Sequence, residues 1–236
     1  NAFAINDGIA LGAGSTAGGF TTPGSIAIGT NSTSTEIATI AVGDGSSAIG
    51  SWDIAIGSEA TTTASNTQSS TAIGQNATVK AGTVSGIALG TESSAEGLYP
   101  TAIGYQSLAN GWGALAQGYQ AQATQDYSTA LGSLAEATGM RSLAIGLNAI
   151  SSGAHSAAIS EYAKAAGDYS VALGYKANTT GADGIAIGVS SAASTGTSVG
   201  DGATSTTDGT AIGVGSSASD YATAIGTQTT ASGQNS

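Results

Sequence analysis

Between Gly90 and Gly188 a tetrapeptide returns every fourteen residues: IALG ending at Gly90, TAIG at Gly104, LAQG at Gly118, TALG at Gly132, LAIG at Gly146, AAIS at Ser160, VALG at Gly174 and IAIG at Gly188. So strict a period makes each unit one supersecondary element that buries its apolar side by stacking on its neighbours. A second glycine lies halfway along most units, at Gly97, Gly111, Gly139, Gly153, Gly167 and Gly181, with Gln125 breaking the row. Glycine reaches positive φ without steric cost, so two glycines per unit mark two corners with a short strand between them. The chain is read as an all-β parallel roll, or solenoid.

The tetrapeptide continues outward, with anchors at Gly12, Gly29, Gly43, Gly57 and Gly74 upstream and at Gly200, Gly213 and Gly226 downstream, giving about sixteen coils. The gaps widen to 17 residues after Gly12 and after Gly57, and to 16 after Gly74. Extra residues in a solenoid are extruded at corners, so insertions are expected at 18–24, 61–70 and 79–86. An unbroken period makes residues 1–236 a single domain. The degenerate opening, Phe3-Ala4-Ile5-Asn6, and the stop at Gln234-Asn235-Ser236 in mid-repeat lead us to expect a fragment of a longer fibre.

Composition narrows the chemistry. No cysteine occurs in 236 residues, which removes disulfides, Cys-ligated zinc and thiol nucleophiles. A net charge of −11, with Lys80, Arg141, Lys164 and Lys176 as the only cations, argues against nucleic acid as a partner. No apolar run approaches the roughly 18 residues of a membrane span, so any membrane anchor is expected in regions absent from this fragment. Gly12-Ala13-Gly14 with Gly18 lacks the lysine of a phosphate loop and reads as a solenoid corner. His155 is the only histidine, and the dispersed Asp and Glu residues do not make the calcium pattern of nonapeptide rolls. No cofactor, no metal and no catalysis are expected.

Numbering each anchor glycine as zero, the strand period of two places positions −3 and −1 on one face, and both are mostly apolar, as in Ile54 and Ile56 or Leu143 and Ile145. These read as the interior, opposed by the small residues at +3 and +5, such as Ala135 and Ala137. Position −2 then faces outward, yet is alanine almost throughout: Ala55, Ala72, Ala88, Ala102, Ala130, Ala144, Ala172, Ala186, Ala211 and Ala224. A column of small apolar residues on the outside is expected to be an interface between copies, and a closed ring would leave no sticky edge. Sixteen coils at about 4.8 Å would make a rod of roughly 75 Å.

The runs Tyr169-Ser170-Val171-Ala172-Leu173-Gly174, Arg141-Ser142-Leu143-Ala144-Ile145-Gly146 and Gly24-Ser25-Ile26-Ala27-Ile28-Gly29 resemble the NSVAIGxxS repeat of YadA-like head domains, found in trimeric autotransporter adhesins of Gram-negative bacteria. Ser15, Ser32, Ser46, Ser93, Ser107, Ser191 and Ser216 match the final serine of the motif. The resemblance implies a homotrimer of left-handed parallel β-rolls, exposed at the cell surface on a stalk anchored in the outer membrane, with extracellular matrix protein, host cells or abiotic surfaces as partners. The chain departs from the motif at its first position, where Tyr, Trp, Arg, His or Asp often replace Asn, at Gln117, and at Ser160 in place of glycine.

Aromatic residues recur at the corners: Trp52, Tyr99, Tyr127, Tyr169 and Tyr221 at −5, Tyr105, Tyr119 and Tyr175 at +1, with Trp112 nearby. Stacked corners would align these rings into columns, the candidate adhesive surface. The expected function is an adhesin head acting through multivalent contacts. The alternative is an ice-binding or purely structural β-solenoid, although Ile, Leu or Val at −1 interrupts any Thr-x-Thr ladder built on the threonines at −3.

Overall fold

A computed structural model describes residues 1–18, 24–63 and 69–233. It divides into two compact units, 1–120 and 121–236. Both are built from one coil: a three-residue strand ending just before the anchor, a corner, a short strand of two or three residues, and a second corner. Sixteen such three-residue strands run from Ile9–Leu11 to Thr223–Ile225 among the described residues, one per anchor. All strands that pair do so in parallel with the next coil and in register. In the first unit the line Ile54, Thr71, Ile87, Thr101 and Leu115 is one ladder position, and Ile56, Ile73, Leu89, Ile103 and Gln117 another. In the second unit Leu131, Ile145, Ile159, Leu173 and Ile187 align in the same way. The chain is therefore a parallel β-solenoid of about sixteen coils.

The corners explain the glycines and the final serine of the repeat. Gly90 has φ +132°, and a Cβ there would lie 2.5 Å from the Gly104 carbonyl oxygen; Gly132, at φ +136°, meets Gly146 in the same way. No side chain fits that approach of one coil to the next. Ser160, at φ 113°, is the one exception and carries the strain of a residue outside its allowed regions. Three residues on, serine hydroxyls donate back to the anchor carbonyl: Ser32 to Gly29 at 3.0 Å, Ser93 to Gly90 at 2.8 Å, Ser191 to Gly188 at 3.0 Å. At the other corner Ser156 and Ser170, both at −4, donate to Gly153 and Gly167 at 2.7 and 2.6 Å. Each of these carbonyls also accepts the long backbone N–H bond of the same serine, and the hydroxyl adds a second, shorter bond that closes the turn.

Burial reverses the expected faces. Ala55, Ala72, Ala88, Ala102, Ala130, Ala144, Ala172, Ala186 and Ala211 have no exposed surface in the single chain, and Ala224 almost none. These alanines point into the roll and cannot be a contact surface between copies. The large residues at −3 and −1 point outward instead. The reason is thickness: only a four-residue corner separates the long strand from the short one, so the gap between the two walls is filled mostly by methyl and hydroxymethyl groups. Positions −4, −2, +3 and +5 supply them, and seven alanines from Ala158 to Ala193 form one core cluster of the second unit. Val79, Pro100, four threonines and Asp53 are the bulkiest fully buried side chains. Asp53, at −4, accepts hydrogen bonds from the Gly50 and Ser70 amides at 3.0 and 2.8 Å.

Of the three expected insertions, 18–24 falls largely, and 61–70 by half, on residues outside the described ones; Thr61–Thr62 is a short strand in the regular ladder. Residues 79–86 are described. Thr78–Val79 is a strand, Lys80 and Thr83 close a turn through a 3.2 Å backbone bond, and Val84 bridges to Leu98.

Candidate functional site

Two surfaces of the coil stand apart from ordinary polar exterior. The first is the outer face of the long strands. At −1 every coil carries Ile, Leu or Val except for Gln117, and Leu11, Ile28, Ile56, Ile73, Leu173, Ile212 and Ile225 are exposed, the last by 66%. The −3 column beside it alternates Ile, Leu and Val with threonine and is mostly half-buried. Exposed apolar residues repeated in this way within each unit are the kind of surface that protein contacts use. The sequence pattern contained this column but assigned it to the interior.

The opposite face, on the short strands, is mostly polar, with Leu108, Ile150 and Ala192 as apolar members of its ladder. Thr16, Thr33, Ser47, Thr61, Thr78 and Ser94 share one half-buried ladder position in the first unit. Glu136, Lys164 and Asn178 take the equivalent place in the second. An ice-binding ladder at −3 and −1 is absent, since the −1 residues are apolar.

The second distinctive surface is the pair of corners. Trp52, Tyr99, Tyr127, Tyr169 and Tyr221 are 45 to 61% exposed, and all five adopt φ between 56° and 61°. This left-handed conformation suits Asn or Gly and costs other residues about 1–2 kcal/mol each. At −5, Ser69, Ser85, Gly113, Arg141, His155, Asp183, Thr195 and Asp208 separate the five rings, so no two of them stand on successive coils and they make no unbroken column. His155 stacks on Tyr169 with centroids 5.0 Å apart and planes at 6°, while the Arg141 guanidinium lies 5.7 Å from the Tyr127 ring centre. The lone histidine is thus part of a stacked corner.

The +1 corner holds the other rings. Tyr105 and Tyr119 stack at 5.4 Å and 14°. Beside them, at +2, the Gln106 amide donates to Glu92 at 2.5 Å and the Gln120 amide to Gln106 at 2.7 Å, a ladder that pins the turn residues of three successive coils. In the second unit Tyr175 meets Tyr162 edge-on at 6.1 Å, and Lys176 Nζ lies 5.0 Å from the Tyr175 ring centre. Tyr162, 43% exposed, escaped the sequence reading because it stands at +2, outside the two positions where rings recur. Trp112 is exposed at −6, following Val84 and Leu98 along the same corner line.

Groups capable of acid, base or metal chemistry are scattered. Among the described residues no cluster of three His, Cys, Asp or Glu could hold a metal ion, and no helix is long and apolar enough to cross a membrane. Asp220 accepts hydrogen bonds from the Thr206 hydroxyl at 2.6 Å and the Thr207 amide at 3.1 Å, which hold its carboxyl below the usual range. The Lys80 to Glu96 ion pair, at 3.0 Å, is solvent-exposed and contributes little.

A family model described as the YadA head domain repeat matches residues 23–51, 84–107, 109–135, 137–159, 165–191 and 220–236, well over half of the chain. No curated protein matches it.

Proposed function

The chain belongs to the YadA head repeat family, and from that premise we propose that it is the head of a trimeric adhesin, displayed at a bacterial surface and attaching to matrix protein, host cells or solid surfaces. Three copies share the outer apolar face of the long strands, which leaves the polar short-strand face and the corners toward the surroundings. The adhesin reading fits a family and a fold that are non-enzymatic in kind. Outer-membrane attachment, in this reading, is supplied by other regions of the fibre.

The observation that carries an adhesive role for the corners is the conformation of the five rings at −5. Each is held at positive φ and largely exposed. Asparagine, the first residue of the motif this chain resembles, would adopt that conformation with less strain. A large ring retained at such a position buys neither core burial nor an easier turn, and it offers rigid contact area at low entropic cost. Affinity then comes from many weak contacts multiplied over three copies and many molecules.

The test replaces Trp52, Tyr99, Tyr127, Tyr169 and Tyr221 together by Asn, which suits the local backbone. Attachment of the variant to collagen-coated, epithelial-cell and plastic surfaces should fall at least tenfold, with the thermal melt unchanged or raised; any single replacement should weaken attachment only slightly. Full attachment by the fivefold variant would remove the rings from the adhesive surface. Failure of the unaltered protein to attach to any of the three would favour a structural spacer.

A further inference from the structure

The outer long-strand face carries one interruption. Gln117 is exposed, pairs in register with Ile103, and is the only polar residue among the −1 positions. Its own strand is otherwise ordinary, with Leu115 half-buried and Ala116 fully inside the roll. A glutamine here does nothing for the fold of the single chain, because its side chain leaves the roll. The −1 column is also the more exposed of the two apolar columns, so its side chains reach furthest toward a neighbouring copy.

We propose that Gln117 forms a polar layer completed only by the two other copies, in which three carboxamides hydrogen-bond to one another and fix the axial register of the assembly. The proposal rests on the reading of this face as the surface three copies share. A sixteenfold repeat creates a specific need for such a device. Neighbouring coils are nearly identical in shape and outer chemistry, so a copy shifted by one coil would bury almost the same apolar area. Apolar packing alone therefore discriminates poorly between registers. One amide layer does discriminate: in register, each carboxamide has both a donor and an acceptor partner, and one coil out of register each is buried against isoleucine or leucine with no partner. A single buried polar position sets register and oligomer state in coiled coils by the same logic, at some cost in stability.

The experiment removes the layer from one population. Unaltered chains and the variant Gln117→Leu, one of them isotopically labelled, are denatured together, refolded and weighed by native mass spectrometry. The alteration lies on the outer face, and circular dichroism of each pure protein checks that the roll is intact. Each should form trimers with itself, and mixed trimers should be depleted about tenfold relative to binomial proportions, because in any register a mixed assembly leaves a carboxamide of the unaltered chain without its full set of partners. The variant Gln117→Leu alone should melt higher than the unaltered protein. Trimers that mix in binomial proportion would overturn the role of Gln117 while leaving the shared face in place. An unaltered protein that weighs one chain would overturn the shared face itself, and the polar layer with it.

Discussion

Ala172→Glu should abolish the fold of the second unit. The Ala172 side chain has no exposed surface, its ladder neighbours are Ala158 and Ala186, and the cluster around it consists of alanines alone. A glutamate there has neither volume nor a charge partner inside the wall, and the thin gap gives water no route to its carboxylate. Burying an unpaired charge costs more than the net stability of an ordinary domain can absorb once the overpacking of a core sized for methyl groups is added. The expected readout is loss of the β-sheet circular dichroism signal, with no folded species of any oligomeric state. A folded single chain would mean that Ala172 faces outward.

The next residue in the same strand should behave differently. Leu173 is 40% exposed in the single chain, and Leu173→Glu adds a solvated charge to an isolated roll. In an assembly of three it brings three carboxylates together within an apolar face, a penalty of several kcal/mol per layer. Light scattering should therefore show the mass falling from three chains to one. Adjacent residues thus separate two failures, of folding at Ala172 and of association at Leu173.

Much of this was legible in the sequence. The number of coils, their corners and their parallel register follow from the spacing of the anchor glycines, because glycine alone meets the positive φ and the approach of the next coil seen at Gly90 without the strain that Ser160 carries. The facing of the long strands was not legible from periodicity alone. A pattern of large, small, large along Val171, Ala172 and Leu173 satisfies a period of two in either phase, and the usual preference for large apolar residues inside selects the wrong one. The overlooked signal was steric. Position −4 is serine, glycine, alanine or threonine in most coils, and it shares its face with the alanine at −2. That small-residue face matches the small wall at +3 and +5, whereas a wall of isoleucine would force the strands apart. Corner chemistry was read in part: the rings at −5 and +1 were visible as a recurrence, but their left-handed backbone and the Tyr162 contact with Tyr175 depend on coordinates.

The most direct measurement of the account places one thiol on each face of the same unit. The chain has no cysteine, so Leu173→Cys and Lys164→Cys each introduce a single reactive group. Leu173 lies on the outer apolar face of a long strand, and Lys164 is exposed on the outer face of a short strand. Treatment with a short bismaleimide, followed by denaturing electrophoresis, reports which face lies against another copy. The account predicts that Leu173→Cys is cross-linked into two-chain species and that Lys164→Cys remains a single chain. Cross-linking at Lys164→Cys with none at Leu173→Cys would contradict it.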